Sequence, residues 1–287
     1  MSKRQILIQF DSDQHASVFD AVVAVDAGVE QLLQYDRVTV ETVRDLVYGA
    51  IFTRGPADLR STAIFLGGSQ VAAGEALLKK LKSCFFGPMR VSVMLDANGA
   101  NTTAAAAVLA AAKHLDLAQI QATVLAGTGP VGQRAARLLA RGGAQVRVAS
   151  RSLAKAEEVV GQLRARVTSG NFQAVETANA PQTAAALAGS QLVIACGAAG
   201  VELASSEVVA ASSALRVAID LNAVPPLGIA GVETMDKATQ RGEIICYGAI
   251  GVGGTKMKIH KAAIQRLFTA NDLVLDAEEI FAIGQEM

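Results

Sequence analysis

The sequence predicts an α/β protein built on parallel sheets and divided into two domains. Three observations carry this expectation. Short apolar runs of strand length alternate along the chain with amphipathic runs of helical length. Apolar residues make up 51% of the sequence but aromatics only 4%, much of the difference being Ala and Val, which suit helices laid closely on buried strands. The length of 287 residues matches about two domains of roughly 150 residues each.

In order, 6–10 reads as the first strand, 17–26 as a helix capped by Ser17, and 29–33 as a second strand. A helix is expected over 39–50, with Thr39 and Thr42 at capping-box spacing. Strand 62–66 ends in Gly67-Gly68, helix 70–82 carries its lysines late, as the helix dipole favours, and 90–95 is a further strand. The loop Asp96-Ala97-Asn98-Gly99-Ala100-Asn101-Thr102-Thr103 then lies at a strand's carboxyl end, where open α/β sheets bind ligands. An Ala-rich helix running to about Leu115 connects to the second domain. The first domain is expected over 1–116, with returning helices at about 256–287, and the second over 117–255.

The second domain opens on Thr123-Val124-Leu125-Ala126-Gly127-Thr128-Gly129-Pro130-Val131-Gly132, a short apolar strand running into glycines and then an amphipathic helix over 131–141. This is the strand, turn and helix of a Rossmann-type dinucleotide-binding unit, a doubly wound parallel sheet. Gly127 allows the turn, Gly129 lets backbone approach a pyrophosphate, and Gly132 lets helix pack on strand. Gly127, Thr128, Gly129, Pro130, Val131 and Gly132 are therefore the expected phosphate contacts, aided by the helix N-terminus. Further strands are expected over 145–149, 172–175, 191–195, 216–221 and 244–247, with helices at 153–166, 183–187 and 207–211. Residues 222–228 contain Pro225-Pro226, a rigid wall or a chain reversal. Residues 248–254 read as a second glycine-rich turn, followed by a helix from about Thr255 to Phe268 and a short terminal helix from Asp276.

NAD-selective units carry Asp or Glu at the end of the second strand. Here Ala149-Ser150-Arg151-Ser152 stands there, with Lys155 one turn on. Hydroxyl, guanidinium and ammonium groups suit a 2′-phosphate that a carboxylate would repel, so Ser150, Arg151 and Lys155 point to NADP. NAD use remains compatible, since nothing there forbids an unphosphorylated ribose. Gly197 and Ala198 are expected beside the nicotinamide ribose, and Gly253 at the nicotinamide end. Lys256, read as opening the returning helix against the dipole, is a candidate to reach substrate or cofactor; His260 reads as a structural helix residue.

Lys and Arg number 26, as do Asp and Glu, so no broad basic surface for nucleic acid is indicated. The three cysteines form no C-x-x-C pair, which argues against a disulfide framework or a metal site and for a reducing cytoplasm. No apolar run approaches the roughly 20 residues of a membrane span, and the apolar stretch at the start is too short for a signal peptide.

Several motifs together resemble one family along nearly the whole chain. They are Phe10-Asp11-Ser12-Asp13 with Ser17-Val18-Phe19-Asp20, Thr53-Arg54-Gly55, Ser61-Thr62-Ala63-Ile64-Phe65 and Phe86-Gly87-Pro88. With them stand Met94-Leu95-Asp96-Ala97-Asn98-Gly99, Asn101-Thr102-Thr103-Ala104-Ala105-Ala106, the glycine loop, Pro225-Pro226-Leu227-Gly228-Ile229 and Gly248-Ala249-Ile250-Gly251-Val252-Gly253-Gly254. The sequence resembles the bacterial NAD(P)-dependent methylene-tetrahydromethanopterin dehydrogenases, relatives of the folate dehydrogenases. The resemblance implies a subunit with an active-site cleft between its two domains, assembly into a homo-oligomer, a trimer by family, and a reduced pterin substrate, with methylene-tetrahydrofolate a further candidate.

The implied reaction moves a hydride from the N–CH2–N carbon of the pterin to the nicotinamide, driven by the adjacent nitrogen lone pair, and needs no protein nucleophile. Catalysis would then rest on positioning and on stabilising a developing cation. Asp20 and Asp96 are candidates for that, together with Lys256, while Asn98, Asn101 and Thr102 are candidate pterin contacts. A turn role for Asp96, a cap role for Asn101 and a surface role for Asp20 stay open beside these. Two other functions also stay open: a carbonyl reductase of shikimate-dehydrogenase type, using Lys256 and Asp96 as proton donor pair, and a non-catalytic NADP sensor or cyclohydrolase partner.

Overall fold

The computed structural model describes residues 3–287. Strand and helix alternate from the start: β1 (Ile6–Phe10), α1 (Val18–Asp26), β2 (Gln31–Tyr35), α2 (Val43–Phe52), β3 (Thr62–Leu66), α3 (Val71–Lys82), β4 (Ser92–Leu95) and α4 (Ala100–Ala112). The pattern continues through β5 (Gln121–Leu125), α5 (Pro130–Arg141), β6 (Gln145–Ser150), α6 (Leu153–Arg166), β7 (Asn171–Glu176), α7 (Ala180–Leu187), β8 (Leu192–Ala195) and α8 (Ser206–Ala211). The chain closes with β9 (Val217–Asp220), β10 (Lys237–Arg241), β11 (Ile244–Tyr247), α9 (Ala249–Arg266), β12 (Val274–Leu275) and α10 (Ala277–Gln285). The chain divides into two compact units. The first runs up to Thr102 and resumes with Met257–Met287; the second is Thr103–Lys256.

The first unit holds a five-stranded sheet in the order β12-β4-β3-β1-β2, parallel throughout. Its central strands β3 and β4 are buried along their full length, as strands covered on both faces must be. Phe10 pairs with Leu66, and Leu66 with Leu95, so the carboxyl ends of β1, β3 and β4 are level and their loops emerge side by side. The strand order turns back between β1 and β3, which makes that end the ligand-binding position of an open sheet.

The second unit holds a seven-stranded sheet in the order β10-β11-β9-β8-β5-β6-β7. All pairs are parallel except β10 with β11, an antiparallel edge. Leu125, Ala195 and Asp220 lie in one row across β5, β8 and β9, and the order turns back at β5 and β8. A core of Leu125, Leu187, Val193, Ala218 and Ile229, with smaller neighbours, fills one face.

Three expectations need correction. The helix expected over 39–50 starts at Val43; Thr39 and Thr42 instead bond each other in a turn, the Thr39 N–H donating to Thr42 Oγ1 at 3.0 Å. The strand expected over 29–33 lies two residues later. The glycine-rich segment 248–254 is no loop: helix α9 begins at Ala249 and runs through it. A Cβ on Gly248 or Gly251 would run into the carbonyl oxygens of Glu233 and Asp236, so these glycines let the helix lie on backbone. Lys256 therefore sits in the second turn of α9 and does not open it.

Candidate active site

In the second unit the turn after β5 is held by the protein's own packing at two of its three glycines. A Cβ on Gly127 would stand 2.8 Å from the Val124 carbonyl oxygen and 3.0 Å from Val148 Cγ1. One on Gly132 would stand 2.7 Å from Gly127 Cα. Gly129 differs, because its Cβ would meet nothing closer than the Ala126 carbonyl at 3.6 Å, an ordinary contact. Nothing inside the protein crowds a side chain there, so the backbone at Gly129 is left uncovered.

The electrostatics of this turn suit an anion. Helix α5 has Gly129 at its N-cap with no side-chain cap and Pro130, which lacks an N–H, at its first position. The first helical bond runs from the Gln133 N–H to the Gly129 carbonyl at 2.9 Å, so the Val131 and Gly132 N–H groups have no helical acceptor. Gln133 Nε2 also donates to the Thr128 carbonyl at 2.8 Å and fastens the turn. Free N–H groups at the positive end of a helix, around an uncovered glycine, fit a nucleotide pyrophosphate.

At the end of β6, Ser150 is buried and its hydroxyl accepts the Ser152 N–H at 3.3 Å. Ser152 caps α6 by accepting the Lys155 N–H at 3.5 Å. Arg151 and Lys155 are exposed. Arg151 lines a cavity of about 230 Å³ with Thr177, Asn179, Val201, Glu202 and Leu203. The segments after β8 and β9 leave the same edge of the sheet as the turn, since Leu125, Ala195 and Asp220 share one row. Gly197 lies against Leu203, where a Cβ would stand 2.8 Å from Cδ1, with Ala198 next to it; Gly253, inside α9, has open space at its Cα. Burial, with the negative charge of Asp220 added, pushes the Cys196 thiol up to about 12, so it is no nucleophile.

In the first unit the loops at the level ends of β1, β3 and β4 are tied by carboxylates. Buried Asp11 accepts the N–H groups of Asp13 at 2.9 Å and Ser17 at 3.0 Å, and Asp13 accepts the Ser69 N–H at 2.8 Å. Asp20, half-buried in the first turn of α1, reaches the end of β3: a Cβ on Gly67 would stand 3.4 Å from its Oδ2. Asp96 is buried and caps α4, accepting the Asn101 N–H at 2.9 Å, the Thr102 N–H at 3.0 Å and the Thr102 hydroxyl at 2.6 Å. His260 stacks on Phe65 with ring centroids 5.4 Å apart and brings Nδ1 to 4.0 Å from Asp96 Oδ2.

Asn101 and Thr102 are thus buried with Asp96; Asn101 Nδ2 donates to the Leu95 carbonyl and, at 2.9 Å, to Asp276. Asn98 differs: it is exposed, its backbone left-handed at φ 53°, its N–H donating to the Gly68 carbonyl at 2.6 Å. Asp96, Asn98, Asn101 and Thr102 fall in one cluster, with Asp20 at the neighbouring strand end. Sequence reasoning missed the part of Asp11 in this cluster and of Asp220 in the second unit. Both signals were available, as an acid at or just beyond the end of an apolar strand.

A family model described as methylene-tetrahydromethanopterin dehydrogenase, N-terminal, matches residues 18–98. The chain is 44% identical over 289 residues to the bifunctional protein MdtA of Methylorubrum extorquens, covering all of both chains. It is 30% identical over 294 residues to an NAD(P)-dependent methylenetetrahydromethanopterin dehydrogenase of the same organism, covering 99% of each. Among solved structures, shikimate 5-dehydrogenase of Listeria monocytogenes shares the fold, with TM-score 0.55 at 12% identity, covering 99% of this chain and 96% of that one. From motif to full-length likeness, the chain belongs to the methylene-tetrahydromethanopterin dehydrogenase family.

Proposed function

We propose that this chain is the NAD(P)-dependent oxidoreductase its family indicates, taking a hydride from methylene-tetrahydromethanopterin and leaving the methenyl product. The observation that carries the cofactor half is Gly129, a glycine with no internal reason beside unpaired N–H groups at a helix start. The nicotinamide, when bound, supplies the hydride acceptor. The protein's part is to bind, orient and polarise. Gly127 to Gly132 hold the pyrophosphate, and Ser150, Arg151 and Lys155 select the 2′-phosphate of NADP over NAD. Ala198 and Gly253 leave room near the nicotinamide end, and Gly197 lets the backbone there lie against Leu203.

On the substrate side, Asp20 and Asn98 are the side chains proposed to meet the pterin, the first to stabilise the cation that forms, the second to bond the ring edge. Asp96, Asn101 and Thr102 act beneath them by fixing the start of α4 and keeping a negative charge under the site. Lys256 is proposed to reach a pterin carbonyl or the cofactor from the second turn of α9. A carbonyl reductase would instead need a carboxylate at liberty to assist proton donation, whereas Asp96 already accepts three hydrogen bonds.

The test is direct: mix the protein with methylene-tetrahydromethanopterin or methylene-tetrahydrofolate and with NADP or NAD, and follow absorbance of reduced cofactor and methenyl product. Turnover with a pterin and higher kcat/KM with NADP is the expected result. Turnover of a hydroxy acid in its place would overturn the reading.

We also propose a homo-oligomer, a trimer on the family resemblance. One side of α1 supports this, since Val18, Val22 and Val25 are 75%, 55% and 63% exposed at helical spacing. A cytoplasmic location is proposed on the three free thiols, Cys84, Cys196 and Cys246. No helix among the described residues is long and apolar enough to cross a membrane.

A further inference from the structure

Asp220 ends β9, one row across from Ala195 and Leu125, at the carboxyl edge of the second sheet. It is 1% exposed. Its Oδ1 accepts the Asn222 N–H at 3.0 Å and its Oδ2 accepts the Ile229 N–H at 2.9 Å. No cation pairs with it among the described residues. A buried carboxylate held only by backbone N–H groups is an unusual choice for stability, and burial outweighs these donors and raises its pKa.

The carboxylate organises two segments. Across residues 222–229, Asn222 Nδ2 donates to the Pro226 carbonyl at 3.1 Å and the Val224 N–H to Asn222 Oδ1 at 2.9 Å. That loop in turn holds the segment after β8: the Gly200 N–H donates to the Val224 carbonyl at 3.2 Å, and the Leu203 and Ala204 N–H groups to the Gly228 carbonyl at 2.8 and 3.0 Å. Gly228 fits because a Cβ there would stand 2.9 Å from Asp220 Oδ1.

In a doubly wound sheet the dinucleotide lies along the carboxyl edge across the switch point, with phosphates over the first strand. Here the phosphate turn follows β5 and Arg151 follows β6, which puts the adenosine half toward β6 and β7. The nicotinamide half then falls toward β8 and β9, where the Asp220 carboxylate stands.

We propose that Asp220 is a positioning residue for the nicotinamide, holding the 222–229 loop and the 197–204 segment in place while its charge favours the cationic oxidised ring over the neutral reduced one. This rests on the NADP reading given above. The bias favours the oxidised cofactor in the site, the form that accepts a hydride from the pterin.

The test compares Kd for NADP+ and for NADPH, by calorimetry, in the wild type, Asp220→Asn and Asn222→Ala, with the melt of each variant recorded. Asp220→Asn is expected to weaken NADP+ roughly tenfold more than NADPH, the scale of one charge acting through a partly shielded site. Asn222→Ala, which loosens the loop and leaves the charge, is expected to weaken both forms alike. Should the amide not fit against the two N–H donors, Asp220→Ser removes the charge with a smaller group and reads the same ratio. An unchanged ratio in a folded, charge-removed variant, or the same ratio change in Asn222→Ala, overturns the proposal. A wild-type chain that binds neither form overturns the NADP reading itself.

Discussion

The two sheets end in loops that use their polar groups in opposite ways. After β5 the turn leaves backbone N–H groups of Val131 and Gly132 without helical partners, around a glycine that the protein does not need. After β4 the polar groups are turned inward: Asp96 accepts two N–H groups of the first turn of α4, and Asn101 bonds Leu95 and Asp276. One loop leaves bonding capacity unused, while the other spends most of it on its own shape. A phosphate can be recognised by backbone alone, so the first kind of loop is open and small. On the proposed reading a pterin is met by side chains on a rigid base, which suits a loop that buries a scaffold and shows little of it.

The widest separation between these loops should appear at the glycines. Gly132→Ala pushes a Cβ into the Gly127 backbone and is expected to cost about 3 kcal/mol in a denaturant melt, with cofactor binding lost. Gly129→Ala meets only an ordinary contact, so its melt should stay within about 0.5 kcal/mol of the wild type. Calorimetry should nevertheless show NADP binding weakened well over tenfold in that variant. If both substitutions unfold the chain equally, Gly129 is structural and the contrast collapses.

Asp96→Ala probes the inward-turned loop. It strands the N–H groups of Asn101 and Thr102 in a buried place and is expected to cost about 2 kcal/mol. Turnover should fall while the Kd for NADP stays at its wild-type value. A stable variant with unchanged kinetics would remove Asp96 from both scaffold and site.

Arg151→Ala should raise the KM for NADP about tenfold, the worth of one charge-assisted bond, and leave that for NAD nearly unchanged. An equal rise with both cofactors would remove it from the 2′-phosphate. The smallest effect belongs to Ser152→Ala, which loses a long 3.5 Å cap bond on α6 and should lower stability by about 0.5 kcal/mol, seen as a slight shift of the melt.

The same contrast explains what could be read from sequence. The glycine turn was legible because glycines and a strand-to-helix switch are local signals, and Ser17 was legible as a cap because capping is settled within four residues. The start of α9 was not. Gly248, Gly251, Gly253 and Gly254 read as a turn, yet the first two are glycine because residues 233–236 press against them, a contact no local pattern contains. Strand β10 is a polar edge and β12 is two residues long, so neither carries a hydrophobic run. Asp220 and Asp11 each carried a signal as an acid at the end of an apolar strand, but what they organise was not legible, because their partners are backbone N–H groups, which every sequence has.

The first unit is written in two pieces, and this shapes how the chain comes into being. Strand β4 completes its pairing only with β12, where the Val93 N–H donates to the Leu273 carbonyl at 2.8 Å, and Asn101 waits for Asp276. During synthesis residues 1–102 therefore leave the ribosome with one flank of their sheet unzipped, while 103–256 emerge as an unbroken stretch that can close on itself first. The sheet of the first unit is thus completed only once residues 257–287 have been made.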